Sequence, residues 1–142
     1  MGKGINILVL GSDLLVQRLT STLAVEGIDV VHYPELPLPL DLIRNKQFAL
    51  VIVDSQIENV NNICASIYDL ASTPVVLMLK ENEADWKTVT RLKVDGFLLK
   101  EYSDSELRIR VKVACQRPVD PAHGRLLYQQ ESIDQAKKTN KS

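Results

Sequence analysis

Five short apolar runs divide the chain, and each run is continuous instead of alternating with polar residues. They cover residues 5–10, 28–33, 48–53, 74–79 and 97–99. Continuous apolar runs of this length are typical of strands that are buried on both faces of a parallel sheet. The pattern therefore predicts five strands, each covered on both sides by other elements.

The segments between the runs carry apolar residues at the three- and four-residue spacing of a helix face. Gly27 is expected to end the first helix, and Ser103-x-x-Glu106 has the spacing of a capping box that opens the fifth. The alternation of strands and helices predicts an α/β fold, a doubly wound five-stranded parallel sheet of the flavodoxin-like (βα)5 kind. The positions that indicate the five helices are Leu14, Leu15, Leu19, Leu23 and Val25; Leu38, Leu42 and Ile43; Ile57, Val60, Ile63, Ile67 and Leu70; Ala84, Val89 and Leu92; and Leu107, Val111 and Ala114.

Composition narrows the class of protein. The 142 residues suffice for one ordinary domain, and a net charge of −1 gives no basic surface for nucleic acid. Cys64 and Cys115 are far apart and only two histidines are present, so neither a zinc site nor a disulfide scaffold is indicated. No apolar run approaches the roughly 18 residues of a membrane span. These features predict a cytoplasmic protein that has no membrane or direct nucleic-acid partner.

Candidate chemistry lies at the carboxyl ends of the strands, where open α/β sheets bind ligands. Asp54 directly follows the run LVIV, and Lys100 directly follows FLL. In this topology the two side chains are expected to converge at one edge of the sheet. Each also has an ordinary structural explanation, since an aspartate there commonly caps the next helix and a lysine there is commonly solvated.

The motifs FALVIVD and DGFLLK carry a resemblance to the receiver domain of bacterial two-component response regulators, over residues 5–117. The resemblance implies that Asp54 is the phosphoacceptor equivalent, that Lys100 stabilises charge, and that Phe97 is the aromatic switch position. It also implies a signalling protein as partner, either a histidine kinase or an output protein. Residues 1–117 would then form the receiver-like domain.

Several positions depart from that family. Its magnesium-binding acidic pair falls on Gly11 and Ser12, its Ser or Thr switch residue on Leu79, and its proline on Glu101. Mg²⁺ prefers carboxylate and water oxygens, so Asp54 without the acidic pair predicts at most a weak site and no resident cofactor. Asp13 is expected to contribute to this magnesium site beside Asp54 only if Gly11 forms a bulge that shifts the register by one residue. Magnesium-dependent phosphorylation should therefore be impaired.

The predicted fifth helix, SELRIRVKVACQRP, resembles the same helix in winged-helix transcriptional response regulators. The resemblance implies a homodimer through the fourth helix, fifth strand and fifth helix, with Glu106, Arg110 and Lys112 pairing with acidic or basic partners such as Asp95. Val111, Leu92 and Trp86 are the apolar candidates for that face. The alternative is a solvated helix face on which Glu106 pairs with Arg110 four residues on.

Residues 118–142 are polar and lysine-rich towards the end, which predicts a linker or disordered tail. The leading hypothesis is an atypical, non-enzymatic receiver domain that signals through protein–protein interaction. One alternative is a receiver that is still phosphorylated on Asp54. Another is a flavodoxin-like domain for a small ligand, although the strand ends lack a glycine-rich phosphate loop.

Overall fold

The computed structural model describes residues 5–32, 48–70, 73–83 and 92–116, in which five parallel strands form one sheet. The strand order is β2-β1-β3-β4-β5, which confirms the predicted doubly wound α/β fold. The elements are β1 (Ile5–Leu10), α1 (Asp13–Ala24), β2 (Ile28–His32), β3 (Leu50–Asp54), α2 (Val60–Leu70), β4 (Val75–Leu79), a short 3-10 helix (Glu81–Glu83), β5 (Gly96–Leu99) and α3 (Asp104–Gln116).

Three segments with sequence predictions lie outside the described residues. They are the predicted second helix around Leu38, Leu42 and Ile43, the part of the predicted fourth helix that carries Ala84, Trp86 and Val89, and the tail at 118–142.

The central strands are buried as the apolar runs predict. Every residue of β3, β4 and β5 is buried. β2 differs, because its residues alternate between buried or half-buried and exposed positions. In the sheet β2 stands at one edge and pairs with β1 alone. The prediction that all five strands are covered on both faces was therefore wrong for β2. Edge position alone does not explain the difference, because β5 stands at the other edge and is buried throughout.

Local capping accounts for the helix ends. The Ser12 hydroxyl accepts a hydrogen bond from the Leu15 N–H at 3.2 Å and so caps α1. The turn that follows α1 contains Gly27 at a φ of 72°, a conformation that glycine adopts without strain. The Ser103 hydroxyl accepts from the Glu106 N–H at 3.1 Å, which confirms the predicted cap of α3.

The segment after β3 is a turn, which delays the next helix. The sequence pattern places Ile57 on that helix, but α2 begins at Val60. Asn59 adopts a φ of 61° just before it. The Ile57 N–H instead donates to the Asp54 carbonyl at 3.2 Å. Residues 55–59 thus form a separate loop at the carboxyl end of β3.

Both cysteines within the described ranges are free thiols. Desolvation by burial raises the pKa of Cys64 to about 12 and that of Cys115 to about 11. Both thiols therefore stay protonated at neutral pH, and a protonated thiol is a poor nucleophile and a poor metal ligand. No described helix is long and apolar enough to cross a membrane.

Candidate functional site

Asp54 and Lys100 meet at the carboxyl edge of the sheet, as the sequence predicts. The Lys100 Nζ lies 2.8 Å from the Asp54 Oδ1, and the Gln56 N–H donates to the same oxygen at 3.0 Å. Asp54 is only 3% exposed. The carboxylate is thus taken out of water and neutralised by one internal cation. Removing one partner of such a buried ion pair lowers the stability of the fold, because the remaining charge is left buried without a partner.

Gly11 lies directly against Asp54. A Cβ atom built on Gly11 would lie 2.9 Å from the Asp54 Cβ, 3.0 Å from the Leu15 Cδ2 and 3.3 Å from the Asp54 Oδ2. Contacts below 3.0 Å require neighbouring atoms to move, and the Asp54 Cβ is fixed to the backbone of β3. The end of β1 therefore approaches Asp54 more closely than a residue with a side chain would allow.

Ser12 and Asp13 belong to the start of α1. Ser12 is exposed and uses its hydroxyl as the helix cap, while Asp13 is exposed in the first turn. The pairing of β1 with β3 runs without a break to Leu10 opposite Val53, and α1 begins three residues later. Over the described ranges no group of three or more His, Cys, Asp or Glu side chains could hold a metal ion.

Leu79 and Phe97, which the resemblance places at the switch positions, are both buried. They are 1% and 2% exposed, respectively. Leu79 lies opposite Leu99 in the register, and its carbonyl accepts the Lys100 N–H at 2.9 Å. A leucine side chain has no hydroxyl to donate, so Leu79 can form hydrogen bonds here only through its backbone.

Two residues that the sequence analysis missed hold the loops around this site. The Arg18 guanidinium on α1 donates to the Lys100 carbonyl at 2.8 Å and to the Tyr102 carbonyl at 2.6 Å. Glu83, in the 3-10 helix, accepts hydrogen bonds from the Ser55 hydroxyl after β3 and from the Lys80 N–H after β4. The bond from Arg18 to Lys100 and the bond from Ser55 to Glu83 have no local signal in the sequence, because they span 82 and 28 residues.

Asp95 does not lie on an exposed dimer face. It is completely buried, and its Oδ2 accepts the Val75 N–H at 2.8 Å. The carboxylate thus binds the first residue of β4 inside the protein. Asp95 is therefore not available to pair with Arg110 of a second copy, which corrects the predicted role of Asp95 in a dimer.

The charged residues of α3 point to two different sides. Arg110 bonds Glu106 at 2.6 Å, with its guanidinium carbon 4.8 Å from the Tyr102 ring centroid. Lys112, about 200° further round the helix, pairs with Glu26 at 2.9 Å. Lys112 therefore belongs to the contact with the end of α1, and only Glu106 and Arg110 share a side.

The apolar candidates for the dimer face are also placed differently from the prediction. Val111 is fully buried in the core, and Leu92 is partly buried against it. Trp86 lies outside the described residues. The exposed apolar side chains of α3 are instead Ile109 and Val113, which are 58% and 47% exposed.

Solved structures with the same architecture are receiver domains. A response regulator from Thermotoga maritima is 19% identical, with a TM-score of 0.64 over 80% of this chain and 98% of that one. A CheY-like receiver domain protein from Methanospirillum hungatei is 17% identical, with a TM-score of 0.64 over 80% and 94%. The receiver domain of a Francisella response regulator is 21% identical, with a TM-score of 0.63 over 80% and 98%.

Sequence comparisons alone find no relative, since no family model and no curated protein matches the chain. The likeness lies in the three-dimensional structure, where the strands follow the order β2-β1-β3-β4-β5 and Asp54 meets Lys100 at their carboxyl ends. The chain has the flavodoxin-like α/β fold of response regulator receiver domains.

Proposed function

We propose that the protein is an atypical receiver domain that transmits signals through protein–protein contact, with impaired magnesium-dependent phosphorylation. The observation that carries the proposal is the state of Asp54. Its carboxylate is buried and paired with Lys100, while Gly11, which has no side chain, packs against it. The partners would be signalling proteins of a two-component pathway, either a histidine kinase or an output protein, and the proposed location is the cytoplasm.

The electrostatics of phosphoryl transfer support this proposal. Transfer to a carboxylate places charge on three phosphoryl oxygens, and a divalent ion together with a cation usually neutralises it. Lys100 can supply the cation, since its Nζ already contacts Asp54. Gly11 and Ser12 bring no carboxylate for the ion. The site thus keeps the nucleophile and the lysine but lacks the charges that would hold Mg²⁺.

A fixed conformation would replace the phosphorylation switch. Phe97 is buried and Leu79 cannot donate a side-chain hydrogen bond, so the link from a phosphoryl group to the aromatic ring is absent at this position. The surface that includes α3 would then keep one shape, and the abundance or binding of the protein would carry the signal.

Millimolar Mg²⁺ should leave the melting temperature unchanged. Ligand at 100 times its dissociation constant would stabilise the fold by about 2.7 kcal/mol, a readily measured increase. The measurement is thermal unfolding with and without MgCl₂, together with intact mass after incubation with acetyl phosphate and Mg²⁺, where no phosphoryl adduct is expected.

Asp54→Asn is the control, because it removes the proposed acceptor. An Mg²⁺ effect that persists in this variant arises elsewhere on the protein. A phosphoryl adduct on the parent chain that disappears in Asp54→Asn would establish the alternative, a receiver that is still phosphorylated.

We also propose that the protein forms a homodimer through the exposed side of α3. Ile109 and Val113 are four residues apart and therefore adjacent on one face of the helix. Glu106 and Arg110 lie beside them as a formed ion pair. Apolar contact would supply the affinity, and the charged residues would set the orientation of the two copies.

Ile109→Glu should convert the dimer into a monomer at tens of micromolar protein, because it places a charge in the centre of the apolar patch. Val25→Glu is the matched control, since Val25 is equally apolar and 74% exposed but follows α1. Molar mass by light scattering gives the result. A monomeric parent chain, or a dimer that both variants leave intact, would exclude this face.

A further inference from the structure

The Glu83 carboxylate joins the loops that follow two different strands. Its Oε1 accepts the Lys80 N–H at 2.7 Å and the Ser55 hydroxyl at 3.0 Å. Its Oε2 accepts from the side-chain amide of Gln56. Lys80 directly follows β4, and Ser55 and Gln56 directly follow Asp54 of β3. One carboxylate therefore holds three donors at the carboxyl edge of the sheet.

Helix capping explains only one of these contacts. The bond from the Lys80 N–H is the local one, three residues apart, as expected for a side chain that caps a short helix. The bonds from Ser55 and Gln56 span 28 and 27 residues and connect separate loops. A carboxylate that only capped the turn would not need them. Hydrogen bonds to a charged acceptor are also stronger than neutral ones.

The loop that Glu83 holds also wraps around Asp54. The Gln56 N–H donates to the Asp54 Oδ1, and the Ile57 N–H donates to the Asp54 carbonyl. The Ser55 N–H donates to the Met78 carbonyl of β4 at 2.9 Å. Gln56 is bound on both sides, by Asp54 through its N–H and by Glu83 through its side-chain amide, and Ser55 is bound by Met78 and Glu83. The loop therefore cannot move away from Asp54 without breaking contacts to Glu83.

We propose that Glu83 is a positioning residue that latches the loop at 55–59 over Asp54 and keeps its carboxylate closed to reagents from solvent. This proposal rests on the proposed function and deepens it, because it adds a second reason why phosphorylation of Asp54 would be impaired. The missing acidic pair weakens the binding of Mg²⁺, whereas the latch limits access to Asp54 itself. Opening would require release of Glu83, and a partner that competes for that carboxylate would expose Asp54.

Glu83→Gln should open the latch. A glutamine side chain has one acceptor oxygen and two donor hydrogens, so it cannot accept from all three groups. The test is the rate at which a water-soluble carbodiimide and glycine ethyl ester label Asp54 in the full chain, located by peptide mass. We expect the rate to rise about tenfold, in line with the loss of hydrogen bonds to a charged group. Backbone amides at 55–59 should also exchange with deuterium faster.

Glu81→Gln is the matched control. Glu81 lies in the same 3-10 helix and is exposed, and within the described part of the chain its carboxylate has no hydrogen-bond or ion-pair partner. It carries the same charge change and should leave the labelling of Asp54 unchanged. Ser55→Ala removes one of the three donors and should give a smaller increase than Glu83→Gln, so the proposal remains testable if Glu83→Gln folds poorly.

Equal labelling of Asp54 in Glu83→Gln and Glu81→Gln would overturn the latch, whatever the deuterium exchange shows. So would an unchanged rate in a folded Ser55→Ala variant, if Glu83→Gln does not fold. Failure of the proposed function is a different result. It would appear as a phosphoryl adduct on the unmodified protein with Mg²⁺, a measurement that does not involve carbodiimide.

Discussion

Lys100→Met should lower the free energy of unfolding by about 3 kcal/mol, because it leaves the buried Asp54 carboxylate without its cation. The Lys100 Nζ contacts Asp54 at 2.8 Å, and the two side chains are only 20% and 4% exposed. Methionine fills a similar volume, so the lost charge should dominate the effect. Urea unfolding followed by circular dichroism measures the change.

A second substitution should reverse most of this loss. Asp54→Asn combined with Lys100→Met removes both charges, and the double variant should recover to within about 1 kcal/mol of the parent protein. Lys80→Met is the matched control, since Lys80 also follows a strand directly but is exposed. It should change stability by less than about 0.5 kcal/mol. Equal effects of Lys80→Met and Lys100→Met would contradict the importance of the ion pair.

Gly11→Asp should destabilise the protein by about 2 kcal/mol, although an acidic residue is usual at this position in the receiver domains that the chain resembles. The new Cβ would approach the Asp54 Cβ to 2.9 Å, and overpacking at a fixed backbone typically costs about 1–3 kcal/mol. The added carboxylate would also repel Asp54. Urea unfolding again provides the measurement.

Ser12→Asp is the matched comparison for Gly11→Asp. Aspartate caps helices as well as serine does, and its charge is favourable at the start of α1, so stability should change little. If Gly11→Asp is as stable as Ser12→Asp, the close approach of β1 to Asp54 has no energetic consequence.

Local sequence features were enough to predict most of the fold. The strand β1 and the cap at Ser103 were predicted at the correct residues, because apolar runs and capping signals act within a few residues. Gly27 was expected to end the first helix, but α1 ends at Ala24 and Gly27 lies three residues beyond it. The meeting of Asp54 with Lys100 was predictable as well, since parallel strands bring their carboxyl ends to one edge.

Features that depend on contacts between distant residues were missed or misplaced. Ile57 has helical spacing but lies in the loop that binds Asp54. Asp95 was expected on a dimer face, because the resemblance to winged-helix regulators implies an acidic partner there, yet it is buried and bound to the Val75 N–H. A chain pattern does not reveal that a backbone donor from another strand will satisfy a carboxylate.

The sequence by itself determined that this protein forms an alternating α/β sheet with an aspartate and a lysine at its carboxyl edge. Only the tertiary structure decided what surrounds them. These surroundings are the contact of Gly11 with Asp54, the hydrogen bond from Arg18 to the Lys100 carbonyl, and the bonds of Glu83 to Ser55 and Gln56, and all of them join residues separated by dozens of positions. Their physical basis is close packing and paired hydrogen bonds in space, which spacing along the chain does not encode.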